Sequence, residues 1–76
     1  MKEILELLKE LRPESDFAQS KNFINDGLLD SFDVVALVAT LDEKYNISIE
    51  GTEIIPENFA NLEQIVALLI KHGVKF

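Results

Sequence analysis

The sequence predicts an all-α domain: three main helices, one short helix, and a long loop after the first. Three observations lead there. Apolar residues recur at helical spacing in the first, middle and last segments. Of 76 residues, 47% are hydrophobic and only three are Gly and two Pro, a composition suited to a compact helical core. Cysteine is absent and there is one histidine, so disulfides, thiolate metal sites and histidine zinc clusters are excluded, and packing must hold the fold. The length allows a single domain over residues 1–76.

In the first helix, Ile4, Leu5, Leu8 and Leu11 form the apolar stripe, with Glu3, Glu6, Lys9 and Glu10 outside it. Pro13 stops it by pushing Arg12 out of helical geometry. Residues 14–30 show no periodicity, yet carry Phe17, Phe23, Ile24, Leu28 and Leu29 among turn-forming residues. Such a loop is expected to lie over the core, and long loops in compact domains are often functional.

The second helix is expected from Ser31 to Tyr45. Asp30 serves as its N-cap, Asp33 complements its dipole, and Asn46 ends it. Ile47-Ser48-Ile49 alternates too briefly for a strand. Pro56 to Asn58 reads as one short helical turn. Asn61 with Gln64 resembles a capping box for the last helix, whose stripe is Leu62, Ile65, Val66 and Leu69. Gly73, after His72, is its C-terminal cap.

Charge narrows the function. Fourteen acidic against seven basic residues give −7, the wrong field for binding nucleic acid or anionic lipid. Basic proteins are the expected partners. No apolar run approaches the ~20 residues of a membrane span. The opening Met1-Lys2-Glu3-Ile4 lacks a signal core. A cytoplasmic monomer is expected.

The middle helix carries two apolar stripes. Val34, Leu37, Val38, Leu41 and Tyr45 form one. Phe32, Val35, Ala36, Ala39 and Glu43 fall on the opposite face, with Asp42 at the edge. Two apolar faces mean either a helix enclosed on all sides or a docking surface. A domain this small has little interior to enclose one, so the second stripe is read as partly docking surface.

Ser31 stands where the loop meets this helix. A serine there is commonly a capping residue. As a nucleophile it would need a base within hydrogen-bond reach. The sole histidine is far along the chain, and no G-x-S-x-G elbow surrounds the serine. No catalytic residue is assigned; if Ser31 reacts, another enzyme supplies the base. Asn22-x-Ile24-x-Asp26-Gly27 loosely echoes a calcium loop. Ile24 and Asp33 misfit its third and twelfth positions, so turn chemistry is the better reading and no metal is assigned.

Gly27-Leu28-Leu29-Asp30-Ser31-Phe32-Asp33 resembles the phosphopantetheine attachment motif of acyl carrier proteins. The similarity runs along the whole chain. It takes in the first helix, the long loop, the Asp-Ser pair at a helix start and Leu41 to Ile49. Glu53 to Asn61 matches a short third helix and Leu62 to Ile70 a fourth. The resemblance implies a four-helix acyl-carrier-like bundle that carries and does not catalyse. It implies 4'-phosphopantetheine, transferred from coenzyme A to Ser31 by a phosphopantetheinyl transferase, with Asp30 as the motif's acidic partner. An acyl or aminoacyl group would then ride as a thioester, loaded by an activating ligase or synthase.

By the same resemblance the second helix is the recognition helix. Phe32, Val35 and Ala39 would make apolar contacts, and Asp33, Asp42 and Glu43 would meet partner Arg and Lys. Fatty-acid carriers usually place Glu where this chain has Ala36. The Leu28-Leu29-Asp30-Ser31 stretch is also similar to D-alanyl carrier proteins, so the cargo stays open. A non-enzymatic acidic interaction module, with Ser31 only a cap, is the alternative.

Overall fold

The computed structural model describes residues 2–76 and measures 29 × 24 × 18 Å. It holds three α-helices: α1 (Lys2–Leu11), α2 (Ser31–Tyr45) and α3 (Leu62–Lys71). No strand occurs among the described residues. Where a short helix is expected before the last one, the chain forms a four-residue 3-10 helix, Pro56–Phe59, preceded by a single 3-10 turn at Gly51–Glu53. Pro56 favours starting a helical turn, and Asn61, capping α3, resets the backbone five residues later, so no α-helix develops there.

Each helix ends for a local reason. The Asp30 side chain accepts from Asp33 N–H at 2.9 Å, and Asp33 accepts from Asp30 N–H at 3.1 Å, closing a capping box around the start of α2. Asn46 adopts the left-handed region (φ 52, ψ 51) and stops that helix. Asn61 accepts from Gln64 N–H at 2.9 Å. At the end of α3, Gly73 lies at φ 90, its N–H donating to Ile70 and that of Val74 to Leu69, a Schellman closure.

The core is apolar throughout. Ile4 and Leu8 of α1, Val34, Leu37, Val38 and Leu41 of α2, and Ile65, Val66, Leu68 and Leu69 of α3 bury one stripe each, with no polar residue buried among the described residues. The long loop lies over this core, as its apolar content demands. Phe17, Phe23 and Leu29 are buried, and the Phe17 and Phe23 rings meet edge-on at 5.1 Å. Leu28 and Leu29 donate their N–H groups to Phe23, while Phe23 donates its own to Ala60, tying the loop to the approach to α3. Asn22 accepts from the N–H groups of Ile24 and Asn25, and Ser20 donates to Asp26, so the segment resembling a calcium loop is built as turns. The effect is to deliver Ser31 to the surface on a loop anchored at both ends.

Candidate functional site

The long loop and α2 meet at Ser31, and the capping box decides what that serine does. Asp30 is the N-cap, so Ser31 occupies the first helical position, exposed, with capping already supplied by its neighbour. The Asp33 N–H holds the Asp30 carboxyl below its ordinary range, with the Phe32 N–H and the charge of Arg12 adding to the effect. Asp30 is therefore an anion committed to the helix start.

Beside the serine lies an apolar cleft of about 270 Å³. Ile24 and Leu29 come from the loop, Val34 and Val35 from α2, and Ile54, Ile55 and Pro56 from the far connection; Asp30 and Ser31 stand at its polar margin. A larger, more open hollow of about 540 Å³, bounded by Leu5, Phe17 and Leu62, does not include Ser31. The smaller cleft is the one that adjoins Ser31.

The outer face of α2 is solvent-facing. Phe32 is 85% and Val35 59% exposed, and Ala36, Ala39 and Glu43 are exposed as well, whereas Leu37 on the inner face is 1% exposed. Enclosure on all sides is thereby ruled out for this helix. Two of the carboxylates expected to face a partner also make bonds within the fold. Asp33 receives Arg12 Nη1 at 2.8 Å as well as Asp30 N–H. Asp42, half-buried, accepts from Ile49 N–H at 3.0 Å and so holds the chain that leaves α2. Of the three acidic positions, Glu43 alone is exposed.

Sequence reasoning missed Arg12, Glu53, His72 and the cleft wall at Ile54–Pro56. Arg12 had one visible signal: it is the lone arginine of an acidic chain and sits just before Pro13. Nothing local marks Glu53 and His72 as partners.

An all-helical bundle that presents an exposed serine at a helix start, beside an apolar cleft, defines a carrier-type domain more readily than a catalytic one. The family model for the phosphopantetheine attachment site matches residues 2–69, and the chain belongs to that family. Neither the curated proteins nor the solved structures gave a match. Members carry 4'-phosphopantetheine covalently, serve in general as carriers and not catalysts, and interact with modifying and synthase enzymes. The residues present fit the group. An exposed hydroxyl outside the capping bonds is open to modification, a helix N-terminus favours an anion, and an apolar cleft adjoins it. No helix among the described residues is long and apolar enough to cross a membrane.

Proposed function

We propose that this chain is an acyl carrier protein in which Ser31 is the attachment residue. The observation that carries the reading is the division of labour at the start of α2. Asp30 caps the helix, so Ser31 is not needed as a cap and stands exposed at the first turn. In the transfer, the Ser31 oxygen bonds to the phosphorus next to the pantetheine arm of coenzyme A. The pyrophosphate P–O bond breaks, the adenosine bisphosphate leaves, and the serine proton passes to a base on the transferase. When bound, the prosthetic group supplies the thiol that this cysteine-free chain lacks.

The lining of the cleft supports an acyl cargo. Ile24, Leu29, Val34, Val35, Ile54 and Ile55 offer hydrocarbon, and an aminoacyl ammonium buried among them, away from Asp30 at the margin, would lose its hydration. The sequence likeness to D-alanyl carriers supports the aminoacyl alternative. Intact mass of the protein from its native cell, with cargo attached, separates the two. Phe32, Val35, Ala39 and Glu43 are the proposed partner contacts, with Asp33 and Asp42 contributing charge from beneath. The Pro56–Phe59 turn corresponds to the family's short third helix. The reading includes a monomer working in the cytoplasm.

The test is direct. Apo protein incubated with coenzyme A and a broad-specificity phosphopantetheinyl transferase should gain the mass of one phosphopantetheine, and Ser31→Ala should gain none. No gain with several transferases would favour an acidic interaction module. Gain persisting in Ser31→Ala would move the site.

A further inference from the structure

The start of α2 poses an electrostatic problem that the fold answers with one residue. Asp30 directly precedes Ser31 and Asp33 lies two positions after it, so a phosphodiester on Ser31 would be a third anion on the same turn. Neither aspartate can swing away without breaking the capping box, since each accepts the other's backbone N–H. Asp33 is also poorly hydrated, its side chain being 13% exposed, so water screens it weakly.

Arg12 reaches this turn from the end of α1, where its own N–H donates to Leu8. Its Nη1 lies 2.8 Å from Asp33 Oδ2, the same oxygen that accepts from Asp30 N–H. Its Nε lies 2.7 Å from Glu14 Oε1. The planar guanidinium is thus held by two carboxylates and set beside the serine's turn. Among the described residues, Arg12–Asp33 is the one ion pair at the start of α2. In a chain of net charge −7 with no other arginine, that placement sets the local charge balance.

We propose that Arg12 is a positioning residue which, acting through Asp33, offsets the negative charge beside Ser31 so that the turn keeps its capping box when the serine carries a phosphodiester. The inference rests on the reading of Ser31 as the attachment residue. It assigns a role in tolerating the modification, distinct from a simple tie between α1 and α2. A tie would stabilise the unmodified and modified forms alike, whereas a charge offset matters more once the third anion is present.

Urea midpoints of the apo and holo forms distinguish the two, the modification acting as one arm of a double-mutant cycle. Arg12→Gln should lower the holo midpoint by roughly 0.5 M urea more than the apo midpoint. Arg12→Lys should recover most of that excess, and high salt should shrink it. Asp33→Asn, which keeps an acceptor for Asp30 N–H but removes the charge, should raise the holo midpoint relative to the apo midpoint. This arm stands even if Arg12→Gln fails to fold. Equal shifts of apo and holo forms in either variant would overturn the proposal. A wild-type protein that never gains phosphopantetheine would instead end the assignment of Ser31, a separate failure seen by intact mass before any urea is added.

Discussion

His72 Nε2 lies 2.8 and 3.0 Å from the two carboxylate oxygens of Glu53, and as the only group of the pair able to donate to an ionised carboxylate, it fastens the end of α3 to the connection that walls the cleft. Glu53 also accepts from Glu50 N–H at 3.0 Å, and its carbonyl accepts from Asn58 at 2.8 Å. Ile54, Ile55 and Pro56 follow immediately and form the far wall of the cleft beside Ser31. The Glu53 carboxylate thus links the end of α3 to the turn that leads into that wall.

Acid should loosen it. The Glu50 N–H, with His72 next, holds the Glu53 carboxyl below its ordinary value of 4.5. A carboxylate depressed in the folded state contributes stability that is present above its unfolded value and lost as pH falls through the folded one. Glu14 and Asp30 are depressed too and add in the same direction. The urea midpoint should fall progressively as pH drops below 4.5. Glu53→Gln should lie below wild type at neutral pH, with the gap closing in acid. A gap independent of pH would show that the charge of Glu53 contributes nothing.

The two faces of α2 should separate cleanly on substitution. Leu37→Ala should destabilise the fold by about 2–5 kcal/mol, enough to threaten a chain whose total stability is on the order of 5–10 kcal/mol. Val35→Ala, at a position 59% exposed, should change stability by less than about 0.5 kcal/mol. It should weaken transferase docking by roughly 1 kcal/mol if the partner buries that side chain. Modification rate against urea midpoint for both variants is the measurement. Parallel losses would place the outer stripe in the core after all.

Charge reversal should not act alike at the two adjacent acids. Glu43→Lys should slow modification and reduce its salt sensitivity while leaving the midpoint nearly unchanged, as expected for an exposed charge that steers a basic partner. Asp42→Lys should also cost about 1–2 kcal/mol of stability, because Ile49 N–H loses its acceptor. Equal midpoints for the two variants would mean that the Asp42 bond is not formed in solution.

Gly73→Ala offers a backbone test. A Cβ there would meet nothing within 4 Å, so any cost comes from φ 90 alone. The loss should be about 1 kcal/mol, read by thermal or urea unfolding. No loss would mean that the end of α3 frays and the Schellman closure contributes nothing.

Spacing and capping rules were enough to lay out the helices. The stripe of α1, the bounds of α2 from Ser31 to Tyr45, the caps at Asp30 and Asn61, and Gly73 at the end of α3 are all local features, decided within a turn or two of chain. The loop over the core was legible for a related reason: Phe17, Phe23 and Leu29 are too apolar to be left in water. Ser31 was legible as a motif at a helix start.

Tertiary structure alone decided the rest. The residue spacing left two uses for the outer stripe of α2, and the exposure of Phe32 and Val35 chose between them. It gave no sign that Asp42 would turn to Ile49, or that Asp33 would meet Arg12 from across a loop. Pairs such as Arg12 with Asp33 and His72 with Glu53 depend on where separate helices come to rest. Periodicity reports which face of a helix is apolar; it carries no term for the distance between two charges that packing brings together.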